Sequence, residues 1–151
     1  SVEKGLSTFG AEIQNLVKAF NHVDERCLIL IDELAGGTNP IEGFAITKSI
    51  IDYLSDKHSI SVITTHFDKA AGIDVQKLQV SGLKKIDMRE LEKELLENPG
   101  KGMDIITDNM DYHLMPADDV EDVPKDAINI AELMGMQREI VALAKKYMEG
   151  K

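Results

Sequence analysis

The chain has 151 residues, of which 43% are apolar and 29% charged, and its formal net charge is -10 at neutral pH. This length suits about one domain with a real hydrophobic core. The negative charge argues against a surface that grips nucleic acid by itself, because binding to phosphates needs a basic face. The first residue is Ser1 rather than Met, so we expect the chain to be part of a longer protein, in which other domains could bind DNA.

The cysteine content and the length of the apolar runs bear on the cellular location of the protein. A single cysteine, Cys27, permits no internal disulfide and fits a reducing environment, and its place at the start of an apolar run predicts a packed thiol rather than a nucleophile. No apolar run approaches transmembrane length, and no secretory signal is evident. We therefore predict a cytoplasmic protein without membrane contact.

The first predicted element is an amphipathic helix that starts near Ser7 and Thr8. Either hydroxyl can cap the first turn by accepting from a free backbone N–H group, and Glu12 is in range to support that turn. The apolar stripe that follows has helical spacing. It consists of Phe9, Ile13, Leu16, Val17 and Phe20.

The stretch LILIDELAGGTNPIEG at residues 28–43 organises the rest of the chain. A strand over residues 27–31, predicted to be buried on both faces as in a parallel sheet, runs directly into Asp32 and Glu33. In open α/β sheets ligands bind at this edge. A strand-end aspartate can hold Mg²⁺ beside a triphosphate, and the next glutamate can orient or deprotonate a water, which is the Walker B pattern of P-loop ATPases. An acidic pair at a solvated strand end is the alternative reading of these two residues taken alone.

A glycine loop and a helix come next. Asn39 can cap this helix, Pro40 suits its first turn, and Glu42 stands three residues after Asn39, as in a capping box. The apolar pattern predicts a helix over residues 40–57.

A second strand is predicted over residues 60–65. The order strand, helix, strand predicts a right-handed parallel crossover, which brings His66 to the same sheet edge as Asp32 and Glu33. A histidine there can donate a hydrogen bond to a phosphate or position a water. A single strand-end histidine is more often a surface or capping residue, but the convergence with the two acids favours a functional one. The remaining histidines are interpreted as ordinary surface residues, namely His22, His58 and His113.

The pattern is weaker in the second half of the chain. In chain order it predicts a strand over 74–80, a helix over 86–97, a strand over 110–115 that pairs with 74–80, and closing helices over 125–134 and 137–148. Residues 117–126 hold five acids and one lysine, which predicts an exposed mobile loop, with a recruited partner as the weaker alternative. The closing pair has a helix–turn–helix shape, but the negative charge around it favours packing over DNA reading.

Together these motifs resemble the C-terminal ATPase domain of the MutS family of DNA mismatch repair proteins, relatives of the ABC ATPases. The motifs are STFGAEI at 7–13, the stretch at 28–43, TTHF at 64–67 and, more loosely, AINIAELMG at 127–135. The resemblance implies an α/β fold, part of a P-loop NTPase with a mainly parallel sheet, flanking helices and a C-terminal helix pair. Residues 1–80 would be the C-terminal half of the ATPase core, and residues 81–151 an extension.

The resemblance also implies roles for the motif residues and ATP with Mg²⁺ as ligands. Asp32 would be the Mg²⁺ ligand, Glu33 the general base for ATP hydrolysis and His66 the switch histidine near the γ-phosphate. Ser7 and Thr8 would reach the ATP bound by the other subunit of a homodimer. The loop that touches that subunit would be Gly36, Gly37, Thr38 and Asn39.

Two departures from the family pattern matter. No GxxxxGK[ST] loop is present, so the lysine that cradles the phosphates is missing. We therefore expect the chain alone neither to bind ATP tightly nor to hydrolyse it, and the missing P-loop strand to leave sheet edges open to self-association. The second departure is the loop LAGGTNP, where repair proteins usually have an arginine between two glycines. Residues 81–126 also depart from the mismatch-repair pattern.

Three functions remain open at this point. The leading hypothesis is a mismatch-repair-type ATPase whose DNA-reading domains lie upstream. The alternative is a DNA-independent MutS-like ATPase that acts as a reactivase or chaperone of a cobalamin-dependent aminomutase, its client enzyme. The third is a dimerisation module without catalysis.

Overall fold

A computed structural model describes residues 2–83, 86–117 and 126–150. The chain divides into two compact units, Ser1–Gln76 and Lys77–Lys151. The first contains α1 (Val2–Phe20), β1 (Leu28–Ile31), α2 (Pro40–Ser55), β2 (Ile60–Ile63) and a short 3₁₀ helix (Asp68–Ala70). The second contains β3 (Leu78–Gly82), α3 (Met88–Glu97), α4 (Gly102–Asn109), β4 (Asp111–Pro116), α5 (Asp126–Leu133) and α6 (Arg138–Met148).

The secondary structure confirms a mixed α/β protein. In the described ranges the strands form one parallel pair and one antiparallel pair. The larger P-loop NTPase sheet therefore stays a prediction, as does the division of roles between residues 1–80 and 81–151. None of the described helices is both long and apolar enough to cross a membrane.

Helix α1 begins at Val2, so the prediction that Ser7 or Thr8 caps its first turn is wrong. Both residues lie inside the helix because the helical spacing continues upstream, where Leu6 stands three residues before Phe9. The predicted apolar stripe packs in the core of the first unit, except that Val17 is 57% exposed.

Strands β1 and β2 pair in parallel, with Leu28 opposite Ile60 and Ile31 opposite Ile63. This confirms the strand–helix–strand order and its parallel pairing, although each strand is shorter than predicted. Cys27 precedes β1 and packs half-buried against the core, as expected of a structural thiol. His22, His58 and His113 are exposed, as predicted.

Only one face of the β1–β2 pair is buried. Ile29 and Ile31 are 7% and 8% exposed, whereas Leu28 and Leu30 are 61% and 70% exposed. On the partner strand Ile60 and Val62, which pair with those two leucines, are exposed as well. The prediction that β1 is buried on both faces is therefore wrong within the described chain. A short aliphatic run does not by itself distinguish burial on one face from burial on two.

Helix α2 begins as predicted. The Oδ1 atom of Asn39 accepts hydrogen bonds from the backbone N–H groups of Ile41 and Glu42 at 3.1 and 3.0 Å, and Pro40 occupies the first turn. The side chain of Asn39 also donates to the carboxylate of Glu42. The start of α2 is thus fixed, and with it the end of the glycine loop.

Gly43 in α2 lies close to Phe67, in the segment after β2. A Cβ atom there would lie 2.6 Å from Cζ of Phe67 and 3.1 Å from the carbonyl oxygen of Ala35. We expect Gly43→Ala to lower the free energy of unfolding by about 1–3 kcal/mol, since overpacking outweighs the helix propensity of alanine.

Urea unfolding of the chain measures this change, and Gly10→Ala is its control. Gly10 lies in α1 with no described atom within 4 Å of an added Cβ, so alanine there should add up to about 1 kcal/mol. Equal shifts in the two variants would contradict the tight contact at Phe67.

In the second unit β3 and β4 pair antiparallel, with Leu78 opposite Pro116 and Val80 opposite Leu114. The predicted pairing is confirmed, but β3 starts later than predicted. Helix α3 is confirmed with Asp87 as its N-cap and Asn98 at its C-terminal end. Helix α4 was not predicted, because its eight residues are too short to show a clear period.

The two predicted closing helices are observed as α5 and α6, and they contact each other. Nζ of Lys145 donates to Oε2 of Glu132 across them at 2.6 Å. The predicted acidic loop falls mostly on residues 118–125, which lie outside the described residues. Asp126 opens α5, and its carboxylate accepts from the backbone N–H of Leu83 at 3.0 Å.

Asp111 at the start of β4 should make the stability of the chain depend on pH. The backbone N–H of His113 donates to its carboxylate at 3.0 Å, and this bond contributes most to a pKa lowered from 3.8 to about 2. Because the folded pKa is depressed, the stabilisation is present above pH 3.8 and is lost as pH falls towards about 2. Asp111→Asn should flatten the stability profile in that window, measured by urea unfolding at stepped pH, and an unchanged slope would contradict the assignment.

Candidate functional site

The acidic pair lies in a tight double turn after β1. The backbone N–H of Gly36 donates to the carbonyl of Glu33 at 3.0 Å, and that of Thr38 to the carbonyl of Ala35 at 3.4 Å. Glu33 and Ala35 have φ angles of 48° and 58°, which side-chain-bearing residues rarely adopt. Such strain costs on the order of 1–2 kcal/mol per residue and is found preferentially at functional sites.

Thr64, directly after β2, ties the two strand ends together. Its hydroxyl donates to Oδ1 of Asp32 at 2.6 Å and accepts from the backbone N–H of Glu33 at 2.8 Å. Its carbonyl accepts from the backbone N–H of Leu34 at 3.2 Å. The predicted meeting of the two strand ends is seen in these bonds. Thr64 was not among the predicted site residues, although its place in TTHF beside the strand end was the available signal.

His66 lies beside the same turn. Its Cε1 atom would be 3.6 Å from a Cβ placed on Gly36, and its ring packs against Phe67 with centroids 4.3 Å apart. Asp32, Glu33, Thr64 and His66 are all exposed. Among the described residues neither the Glu33 carboxylate nor the His66 ring has a hydrogen-bond partner. Both groups are therefore available to a ligand.

Helices α1 and α2 also form hydrogen bonds with the turn after β1. Oε1 of Glu12 in α1 accepts from the backbone N–H of Ala35 at 2.9 Å, and the hydroxyl of Thr47 in α2 donates to the carbonyl of Leu34 at 3.3 Å. The prediction that Glu12 supports the first turn of α1 is therefore wrong. Its carboxylate instead binds the turn after β1. Leu34 and Ala35 are fully buried. Asp32 and Glu33 are therefore exposed next to a buried backbone segment that is hydrogen-bonded to both helices.

The remaining predicted site residues have definite places but untested roles. Ser7 and Thr8 lie in α1. Gly36 and Gly37 are exposed in the double turn, Thr38 is half-buried, and the side chain of Asn39 is engaged in capping α2. Their contacts with a nucleotide or with a second subunit stay predictions.

The residues present fit one kind of metal site. In the part of the chain that the structure describes, no group of three or more His, Cys, Asp and Glu side chains could hold a metal ion. Mg²⁺, however, commonly keeps several waters and binds through one or two carboxylates together with substrate phosphates. The exposed carboxylate of Asp32, held through one oxygen by Thr64, suits that arrangement.

Comparison with known proteins adds an independent observation. Residues 1–150 match the family model of MutS domain V. The chain belongs to the MutS family. This membership confirms the resemblance that the motifs at 7–13, 28–43 and 64–67 carry.

Several bacterial relatives bear the name endonuclease MutS2. The protein from Clostridium botulinum (strain Alaska E43 / Type E3) is 33% identical over 150 residues, which cover 98% of this chain and 16% of the relative. That from Fusobacterium nucleatum is 31% identical over 152 residues, with 98% and 17% covered. That from Acetivibrio thermocellus is 46% identical over 69 residues, with 46% and 9% covered. The chain thus spans about a sixth of the length of the curated relatives that it matches end to end.

Proposed function

We propose that this chain is part of the ATP-hydrolysing domain of a MutS-related protein and that its turnover is coupled to DNA. The observation that carries the proposal is the cluster at the β1–β2 edge, where Asp32 and Glu33 are held by Thr64 beside His66. A carboxylate for a metal, a free carboxylate and a free imidazole stand exposed at the sheet edge where ligands bind. Membership of the MutS family supports it.

Each of the three groups has a chemical task in this proposal. Asp32 would hold Mg²⁺, and the ion would supply neutralising charge to the phosphates. Glu33, whose carboxylate has no described partner, accepts a proton from the attacking water. His66 donates a hydrogen bond towards the phosphate that is cleaved.

The proposal needs more protein than these 151 residues. The chain contains no GxxxxGK[ST] segment, so the loop that cradles the phosphates must be supplied by another part of the protein. A homodimer across the ATP site would add Ser7 and Thr8 of the second subunit. The loop 36–39 would face that subunit. For these reasons ATP hydrolysis has to be measured on the full-length protein.

The names of the relatives support the coupling to DNA. The name endonuclease describes relatives that act on nucleic acid, which favours a DNA-coupled ATPase over a reactivase of an aminomutase. The chain itself has a net charge of -10 and is a poor DNA-binding surface. DNA contact therefore belongs to other domains of the protein.

The test is Mg²⁺-dependent ATP hydrolysis by the full-length protein without DNA, with matched duplex and with mismatched duplex. We expect stimulation by DNA, and a larger stimulation by the mismatched duplex would identify mismatch repair as the coupled process. Robust turnover that is indifferent to DNA would overturn the coupling and direct the search to a client enzyme. No hydrolysis under any of the three conditions would overturn the ATPase itself.

A further inference from the structure

We infer that Thr64 is the positioning residue of this site, fixing the Asp32 carboxylate and the backbone of Glu33 as one unit. The inference rests on the proposed ATPase function and deepens it. It assigns to Thr64 the task of orienting the carboxylate that meets Mg²⁺, without contact with the metal or the substrate.

The chemistry of the two bonds fixes their direction. An ionised carboxylate only accepts hydrogen bonds and a backbone N–H only donates them, whereas a hydroxyl does both. The single proton of the Thr64 hydroxyl therefore goes to Oδ1 of Asp32 at 2.6 Å, and its lone pair receives the N–H of Glu33 at 2.8 Å. The first bond is charge-assisted and short, which makes it the stronger of the two.

Thr64 also binds the same segment through its backbone. Its N–H donates to the carbonyl of Ile31 at 2.9 Å, and its carbonyl accepts from the N–H of Leu34 at 3.2 Å. Four hydrogen bonds from one residue thus bracket the segment from Ile31 to Leu34. Glu33 lies inside this bracket with φ at 48°, a conformation that persists only where the surroundings impose it.

The neighbouring Thr65 shows that this arrangement is not a general property of threonines at a strand end. The Thr65 hydroxyl accepts from the backbone N–H of Phe67 at 3.1 Å, two residues along the chain, which is a local turn. The Thr64 hydroxyl instead bonds to Glu33 and Asp32, which are separated from it by 31 and 32 positions in the sequence. Of the two hydroxyls in TTHF, that of Thr64 alone is bonded to the acidic pair in the described structure.

The test compares Thr64→Val and Thr64→Ala, which both lack the hydroxyl, with Thr64→Ser, which keeps it. Each is made in the full-length protein, and ATP hydrolysis is measured as Mg²⁺ is titrated. Partners that orient a metal ligand typically contribute roughly 10- to 100-fold in metal affinity or activity. We expect the valine and alanine variants to need roughly 10- to 100-fold more Mg²⁺ for half-maximal rate, and the serine variant to restore the wild-type titration. The KM for ATP at saturating Mg²⁺ should change little.

The matched control is Thr65→Val, which removes a hydroxyl of the same type that does not bond to Asp32. It should leave the Mg²⁺ titration in place. A merely structural role for Thr64 would lower the unfolding temperature of the valine and alanine variants without moving the Mg²⁺ dependence, and that result would overturn the inference. So would a wild-type titration in both hydroxyl-free variants. If the wild-type protein itself shows no Mg²⁺-dependent hydrolysis, the proposed function is wrong and the inference falls with it.

Discussion

Replacing Glu33 by glutamine in the full-length protein should lower the turnover number for ATP by about 10²- to 10⁴-fold while ATP still binds. Glutamine has nearly the same size and can make the same backbone bonds, but it cannot take up a proton from water. The Glu33 carboxylate is exposed and has no described hydrogen-bond partner, so no other group in the described structure loses a bond. Hydrolysis under saturating ATP and equilibrium nucleotide binding, measured on the same preparation, separate the two effects.

Glu25→Gln is the control for this substitution. Glu25 is exposed in the connection before β1, and its carboxylate lies 3.1 Å from Nδ1 of His22, away from the β1–β2 edge. The Glu25→Gln variant should hydrolyse ATP at the wild-type rate. Normal turnover in the Glu33 variant would mean that the acid is an ordinary solvated residue at a strand end and would remove the general base from the proposal.

The backbone of the first unit could be predicted because its signals are local. The aliphatic run of β1, the Asn39–Pro40 start of α2 and the second aliphatic run of β2 each act over a few residues, and their order predicts a parallel pair. The same holds for α3, which was predicted over residues 86–97 and is observed over Met88–Glu97. Where a single short segment determines the structure, the sequence was sufficient.

The predictions that were wrong concern features that depend on residues outside the local sequence pattern. Whether Leu28 and Leu30 are covered depends on a second layer, not on the aliphatic run itself. The start of α1 depends on the residues upstream of Ser7 and Thr8, where the helical spacing continues through Leu6.

The candidate site was predicted only in part for the same reason. Its two ends, Asp32–Glu33 and His66, follow from strand ends at one sheet edge. The bonds that hold it come from Thr64 and Glu12, which are 32 and 23 residues from their partners Asp32 and Ala35. No period or spacing in the sequence marks such pairs. The positive φ angles of Glu33 and Ala35 are likewise unexpected in a loop that contains two glycines.

His66→Ala is expected to have the second largest effect, a loss of roughly 10²- to 10³-fold in turnover, the usual consequence of removing one hydrogen-bond donor to charge that develops in a transition state. The ring is exposed and has one described aromatic contact, with Phe67, so the loss of stability should be small. The measurement is ATP hydrolysis by the full-length protein, with thermal unfolding as the check on folding.

A histidine near the other end of β2 provides the control. His58 is exposed two residues before β2, and His66 is exposed three residues after it, so the two imidazoles lie near opposite ends of one strand that is about 13 Å long. If the carboxyl edge of the β1–β2 pair is the site, His58→Ala should leave turnover unchanged while His66→Ala impairs it. A loss in both variants would indicate a general effect of histidine removal. A loss in neither would confine the chemistry to the acidic pair, because Glu33 and Thr64 stand at that edge whether or not the imidazole takes part.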